Sequence, residues 1–346
     1  MRETYLDENY TDRSLPEKVY IEPTDMCNLS CTMCFRHSWI GEKEGRLDLP
    51  VFLELAKEME DLPSVRECFF GGMGEPLSHP QILDMLRAVP DRIKKSMITN
   101  GTLLTGEMSE NLIRSGLREL WVSMDGFSRD AYESIQLGSR YQQILENIDR
   151  FNKARAGKDV HLCITFVLTG SNEGELERID SFADRYQVDE INISREIPGE
   201  PVKEGYLTSE DPETVPLGKM RRLREGIISV EEDRCPFITN NAVFIKWNGD
   251  VAPCMQLLHG TKTYLYKEER EICAVNYGNI HTQKLLECWN HDRYKAFRVR
   301  VREFYFPFCR YCEGCEDRKK NQSDCFVSEA PACGACLWAS GRVFCP

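Results

Sequence analysis

The sequence has no long apolar run. No stretch approaches the roughly 18 residues that a membrane-spanning helix needs, so no membrane association is expected. Residues Met1 to Tyr10 lack an apolar h-region, so no secretory signal is visible. Positive charge is scarce: 44 Lys and Arg against 56 Asp and Glu give a net −12. Such a protein is a poor general nucleic-acid binder. No internal repeat or low-complexity segment is present. These absences point to a cytoplasmic globular protein. Its 346 residues, 41% hydrophobic, suffice for one large or two modest domains.

Cysteine, by contrast, is abundant, with sixteen in the chain. A disulfide framework belongs to short secreted chains. In a reducing compartment, crowded cysteines point to metal. Three of them, Cys27, Cys31 and Cys34, form C-x3-C-x2-C, followed by Phe35. An iron–sulfur cube takes four thiolates, one per iron. Three ligands on one loop leave an iron open, and open metal positions are where chemistry happens. The competing reading is a zinc loop. Zinc knuckles pair one C-x2-C with a second pair, and near Cys27 only His37 is a candidate. The spacing resembles the signature of the radical S-adenosylmethionine (SAM) superfamily. That resemblance implies a 4Fe-4S cluster held by Cys27, Cys31 and Cys34, with SAM chelated at the open iron through its amino and carboxylate groups.

From residue 19 to about 197, strand-like runs alternate with amphipathic segments. The strand candidates are 19–24, 67–72, 96–99, 119–125, 160–169 and 190–196. Helical periodicity falls in 52–62, 80–88, 109–115, 141–154 and 175–186. This alternation predicts a parallel sheet with right-handed crossovers. Periodicity alone also permits a doubly wound open sheet. The resemblance implies an α/β fold, a partial (β/α)6 barrel with a C-terminal Cys-rich domain. The expected organisation is an N-terminal extension over 1–18, the barrel over 19–200, a linker and helix over 201–234, and an iron–sulfur domain over 235–346. Within the third part, 197–216 reads as a linker or a loop over the barrel mouth. Residues 217–229 read as a helix with Arg221, Arg222 and Arg224 on its polar side.

Ligands of parallel barrels bind where strands end, and the barrel motifs fall there. Phe70-Gly71-Gly72-Met73-Gly74-Glu75-Pro76 follows the second strand. It resembles the family's Gly-Gly-Glu segment, which contacts the SAM amino group, although Met73 and Gly74 separate the Gly pair from Glu75. A dinucleotide fingerprint is weaker here, because the third glycine is missing and Pro76 interrupts the helix that should follow. Thr99-Asn100-Gly101 ends the third strand and Ser123-Met124-Asp125-Gly126 the fourth. Alone, each is an ordinary turn signal. Together they resemble family segments that line the SAM site, which implies contacts from Gly71, Gly72, Met73, Glu75, Asn100, Ser123 and Asp125. Arg195, on the sixth strand, is placed to neutralise the SAM carboxylate or to stand as a surface cation.

Eleven cysteines lie from Cys235 to Cys345. Cys235 and Cys254 are spaced C-x13-G-x4-C about a hairpin signal, Asn248-Gly249-Asp250. Cys309, Cys312 and Cys315 follow, then Cys325, Cys333, Cys336 and Cys345. With Tyr277-Gly278-Asn279-Ile280 and Leu285-Leu286-Glu287-Cys288-Trp289-Asn290, this region resembles the SPASM extension of radical SAM enzymes. The resemblance implies one or two auxiliary 4Fe-4S clusters ligated by those nine cysteines. A zinc ribbon from Cys309/Cys312 and Cys333/Cys336 is the alternative. Cys68, Cys163, Cys273 and Cys288 fall outside the ligand pattern.

The resemblance implies reductive cleavage of SAM to methionine and a 5′-deoxyadenosyl radical, with flavodoxin or ferredoxin as electron donor. Cys27 to Trp39, Phe69 to Leu77 and Cys333 to Trp338 are most similar to maturases associated with tungsten-cofactor oxidoreductases. The implied partner is a client oxidoreductase of the aldehyde ferredoxin oxidoreductase kind, or its pterin cofactor. Arg298, Arg300 and Arg302 with Lys295 offer either a phosphate-binding patch or a solvated helix face. A peptide or sulfatase maturase is the first alternative. Only about eighteen residues precede the first strand, leaving no room for a leader-binding domain. A non-enzymatic zinc or iron–sulfur scaffold is the second.

Overall fold

A computed structural model describes residues 14–197, 218–223, 226–229, 235–265, 268–303, 305, 307, 315–326 and 336. Six strands alternate with helices. They are β1 (Lys18–Ile21), β2 (Glu67–Phe70), β3 (Lys94–Thr99), β4 (Leu117–Ser123), β5 (His161–Leu168) and β6 (Glu190–Arg195). The helices are α1 (Leu49–Glu60), α2 (Ile82–Ala88), α3 (Gly106–Arg114), α4 (Arg129–Ile135), α5 (Tyr141–Arg155) and α6 (Ile179–Tyr186). Local chemistry sets their ends. Pro50 opens α1, where its missing N–H costs nothing. Thr105 caps α3 and Ser128 caps α4 through side-chain oxygens that accept from Met108 N and Ala131 N.

Strands β1 to β6 pair in sequence order and in parallel. Alternate residues of each strand point to one face. Val19, Ile21, Cys68, Phe70, Met97, Leu120, Val122, Leu162, Ile164 and Phe166 are buried in one core with Phe52, Leu55 and Met59 of α1. On the other face, Tyr20 belongs to a second, aromatic cluster with Phe237 and Phe244, with Phe69 packed against it. Tyr20 and Phe244 stack with centroids 4.2 Å apart.

The sheet continues past both ends of the six-strand unit. A C-terminal hairpin of β9 (Ala242–Ile245) and β10 (Val251–Ala252) joins it, with β9 parallel to β1. The expected boundary at residue 235 therefore does not interrupt the sheet. At the far edge, β7 (Gly218–Leu223) runs antiparallel to β6 and to β8 (Gly226–Ser229). This corrects the helix expected over 217–229. Gly218 and Gly226 each cost a helix about 1 kcal/mol, and the open edge of β6 offers a ladder to pair with. The intervening stretch 198–217 lies outside the described residues. A further hairpin, β11 (Thr261–Leu265) with β12 (Glu268–Ile272), was not signalled by the sequence. Among the described residues of the C-terminal part, the short α7 (Pro236–Thr239) precedes α8 (Leu285–Trp289) and α9 (Asp292–Arg302). Among the described residues, no helix is long and apolar enough to cross a membrane.

Arg298 and Arg300 of α9 belong to neither a phosphate-binding patch nor a solvated face, whereas Arg302 and Lys295 are half-buried and Arg293 is exposed. Arg298 is 0% exposed and Arg300 5%. The Arg298 guanidinium lies 3.8 Å from the Trp289 ring centroid and 4.4 Å from that of Tyr294, and donates to Trp289 O at 3.0 Å. Arg300 pairs with Asp324 at 3.0 Å, and Arg302 donates to Asn241 Oδ1 at 3.3 Å. A weakly hydrated guanidinium is stable over aromatic faces, so these charges are used inside the fold.

Replacing Arg298 with alanine removes the cation–π contacts and leaves a hole beside Trp289. It is expected to cost about 2–4 kcal/mol, read as a lower urea midpoint with retained far-ultraviolet circular dichroism.

Candidate metal and cofactor site

Every barrel motif sits at the C-terminal ends of the parallel strands, the rim on which barrel sites are built. The loop carrying Cys27, Cys31 and Cys34 follows β1 and has little structure of its own. Its shape is imposed from outside. Ser30 N and Thr32 N donate to Leu137 O (3.2 Å) and Ile135 O (2.9 Å) at the end of α4. Cys34 N closes a turn onto Cys31 O at 3.0 Å. His37 Nε2 lies 2.9 Å from Cys31 O, so that nitrogen is engaged in holding the loop.

The glycine segment after β2 packs directly on this loop. Glu75 N donates to Met26 O at 2.9 Å. A Cβ on Gly74 would stand 2.2 Å from Thr24 O, so only glycine allows the approach. Gly71 and Gly72 lie just above, and Gly72 adopts φ +145°. Met73 N donates to Glu22 Oε1 at 3.0 Å.

Glu75, 2% exposed, points across to β3. Its Oε1 accepts from Leu77 N (2.9 Å) and Thr99 Oγ1 (2.8 Å), and its Oε2 from Asn100 N (2.7 Å). Asn100 in turn donates Nδ2 to Asn28 Oδ1 at 2.9 Å and to Cys27 Sγ at 3.7 Å. Glu75 thus ties the Thr99-Asn100-Gly101 turn to the cysteine loop. Burial pushes its carboxyl up to about 6, against three donated hydrogen bonds that pull it down.

Asp125, after β4, is 1% exposed. Its Oδ1 accepts from Val167 N at 2.8 Å. Its Oδ2 is buried with no partner among the described residues. Burial pushes this carboxyl up to about 7. Its charge reaches Cys31, whose thiol is pushed up to about 12 by burial and then by Asp125, Cys34 and Cys27. Burial also raises Cys34, partly offset by the Arg36 backbone and charge. Ser123 Oγ accepts from Thr165 Oγ1 at 3.3 Å. Arg195 ends β6 two strands away, in register with Leu168 of β5.

The Cys31 and Cys34 thiols, both pushed up, stand with Cys27 beside a buried orphan carboxylate oxygen, a donor set that fits a cationic group. Metal coordination requires thiolates, and it would remove the mutual penalty among these groups. Among the described residues, no three His, Cys, Asp or Glu side chains converge on a single-ion position. A cube takes one thiolate per iron and needs no such convergence.

The second cysteine group is described in part. Cys254 is half-buried, and its thiol is raised by desolvation and then by neighbouring Cys235 and Cys336. These three come together beside the aromatic cluster of Tyr20 and Phe244, against which Cys235 and Cys254 pack. Cys315 is half-buried and Cys325 exposed. Cys309, Cys312, Cys333 and Cys345 lie outside the described residues. Cys68, Cys163 and Cys288 are buried in β2, β5 and α8. A cavity of about 760 Å³ opens at the opposite rim, between Lys94, Glu119, His161 and Glu190. It contains none of the candidate residues.

Sequence reasoning missed Glu22, Glu42, Lys246 and His259, which meet behind the Gly72-Met73 turn. His259 Nε2 stands 2.9 Å from Glu22 Oε1, yet the two are 237 residues apart in the chain. The only local signal was the position of Glu22 near the end of the first strand candidate.

Comparison with known proteins adds the following. The radical SAM superfamily profile matches residues 21–183, and the SPASM iron-sulfur cluster-binding domain profile matches residues 235–316. The chain is 30% identical over 346 residues to the tungsten-containing aldehyde ferredoxin oxidoreductase cofactor-modifying protein of Pyrococcus furiosus, covering 95% of this chain and 96% of the relative. It is 25% identical over 298 residues to a GTP 3′,8-cyclase of Clostridium botulinum, covering 79% and 88%. Among solved structures, native anSMEcpe with bound AdoMet aligns with a TM-score of 0.61 at 17% identity, covering 88% of this chain and 87% of that one. Streptococcus suis SuiB bound to S-adenosylmethionine aligns at 0.59 and 17%, covering 91% and 74%. Both likenesses concern the fold.

Glu75→Gln leaves Asn100 N facing a group that cannot accept from it as the carboxylate does. The expected cost at pH 7 is about 1–3 kcal/mol, read by urea unfolding. The wild-type carboxyl titrates at about 6 when folded against an ordinary 4.5. The unfolded chain therefore loses this proton first, and the stability contributed by the group falls as pH rises from 4.5 to about 6. The variant is expected to lack that slope.

Proposed function

Because the chain belongs to the radical SAM superfamily and carries a SPASM domain, we propose that it cleaves SAM reductively to mature a tungsten-cofactor oxidoreductase. The observation that carries the reaction is the loop of Cys27, Cys31 and Cys34, fixed at the strand-end rim beside an unpaired buried Asp125 oxygen. The client follows from the relative named for modifying the tungsten oxidoreductase cofactor, which matches 95% of the chain.

Cys27, Cys31 and Cys34 would hold a 4Fe-4S cluster, which would supply the electron for reductive cleavage of SAM to methionine and a 5′-deoxyadenosyl radical. The protein's own residues position the cosubstrate. The backbone of Gly71, Gly72 and Met73 leaves room for it beside the cysteine loop. Glu75 acts through the Asn100 turn, keeping Asn100 against Cys27. Asp125 accepts from a hydroxyl or ammonium group of SAM through Oδ2, and Ser123 lies on the same strand end. Arg195, at the end of β6, would neutralise the SAM carboxylate. Cys235, Cys254 and Cys336, with Cys309, Cys312, Cys315, Cys325, Cys333 and Cys345, supply one or two auxiliary clusters. Flavodoxin or ferredoxin delivers the electrons. The client oxidoreductase or its pterin presents the substrate atom.

Anaerobic reconstitution tests this reading. With two auxiliary clusters, the wild type is expected to take up about twelve irons and to form 5′-deoxyadenosine from SAM only with dithionite. Cys31→Ala is expected to lose cleavage and keep about eight irons. Zinc in place of iron, with no cleavage, contradicts the reading. Loss of all iron in Cys31→Ala contradicts the separation of the two cysteine groups.

A further inference from the structure

His259 is 0% exposed and has a carboxylate on each side. Nε2 lies 2.9 and 3.0 Å from the two oxygens of Glu22. Nδ1 lies 3.3 Å from Glu42 Oε2, an ion-pair separation. Glu42 Oε2 also receives Lys246 Nζ at 2.6 Å, and its Oε1 accepts from Gly260 N at 2.7 Å. The Glu22 and Glu42 carboxylates on either side of the ring, against one ammonium, favour a protonated imidazole. Burial alone would lower the ring's pKa, but the contacts with Glu22 and Glu42 outweigh it and the net shift is upward. Glu42 is drawn down to about 2, since its bonds to His259 and Lys246 outweigh its own burial. Asp25 is the remaining charged neighbour.

This cluster grips both segments that flank the three cysteines. On one side, Glu22 Oε1 accepts from Met73 N at 3.0 Å. The Glu22 Cγ fills the space a side chain on Gly72 would need, 2.6 Å from an added Cβ. Fixing Glu22 therefore fixes the Gly72-Met73 turn. On the other side, Trp39 stacks on the His259 ring with centroids 4.4 Å apart and planes 15° off parallel. Ile40 N donates to Gly260 O at 3.0 Å, and Ser38 Oγ lies 2.9 Å from Thr261 Oγ1. The segment after Cys34 is thus zipped to residues 259–261.

We propose that His259, as an imidazolium, is a positioning residue of the SAM site: it clasps the Cys34–Ile40 segment and the Gly72-Met73 turn to the C-terminal region and thereby sets SAM affinity. The affinity half rests on the functional reading given above; the clasp itself does not.

The test uses reconstituted wild type, His259→Gln and the double variant Glu22→Gln/His259→Gln. Glutamine keeps a polar side chain and removes the charge. The double variant leaves Glu42 and Lys246 balanced. Hydrogen exchange of residues 35–42 and 71–75 is expected to rise about tenfold or more in His259→Gln and to return toward wild type in the double variant, while β4 to β6 stay protected. Equilibrium dialysis with labelled SAM is expected to give a dissociation constant about tenfold higher or more in His259→Gln. The ratio of the His259→Gln constant to the wild-type constant should fall toward one as pH climbs through the imidazolium pKa, above 6.5, because Asp125 titrates alike in both proteins. Unchanged exchange in both segments overturns the clasp. Altered exchange with unchanged SAM affinity and pH profile overturns the positioning role. A wild type that binds no SAM overturns the functional reading and the affinity half together, and exchange still decides the clasp.

Discussion

Three thiols must be presented together at the end of a strand, and the loop that carries them cannot hold its own shape. Cys27 to Cys34 contains no regular element. The loop is fastened by three neighbours: the end of α4 holds its backbone, the Gly74-Glu75 segment holds Met26 just before it, and the Asn100 turn holds the Cys27 and Asn28 side chains. Each neighbour is itself a strand-end or helix-end feature of the barrel. The parallel sheet matters to the site for this reason. It brings consecutive strand ends to one rim at fixed spacing, and each contributes one polar group to one loop.

The electrostatics of that rim push in one direction. Burial, with repulsion from neighbouring groups, pushes the Cys31 and Cys34 thiols up, and burial pushes the Asp125 carboxyl up to about 7. A site of this kind stores unfavourable desolvation that a bound cation can relieve. The same economy governs the rest of the molecule. Where a charge is buried without a functional task, as at Arg298 and Arg300, it is matched by aromatic faces, a carbonyl or a carboxylate.

Much of this was legible in the sequence, for a physical reason. The cysteine spacing, the glycine run at 71–74 and the turns at 99–101 and 123–126 are local, and their meaning follows from standing at strand ends. The six parallel strands were legible because buried parallel strands separated by amphipathic helices leave a clear period. The hairpin about Asn248-Gly249 was legible from its turn chemistry, but its parallel pairing with β1 was not, because register between distant segments leaves no local trace. Residues 217–229 misled because Leu217, Met220 and Leu223 recur with helical spacing, while pairing with β6 is a tertiary effect. The role of Glu75 was hidden likewise: its carboxylate serves the neighbouring turn, a partnership 25 residues away. His259 was invisible, a lone histidine whose two carboxylate partners lie more than two hundred positions earlier.

The account depends on an iron at the rim that the protein leaves for SAM to occupy. Low-temperature electron paramagnetic resonance of the anaerobically reduced protein, recorded with and without SAM, tests this directly. The account predicts that SAM changes the spectrum of the cluster held by Cys27, Cys31 and Cys34 and leaves the signals of the C-terminal cysteines in place. An identical spectrum with saturating SAM would contradict it.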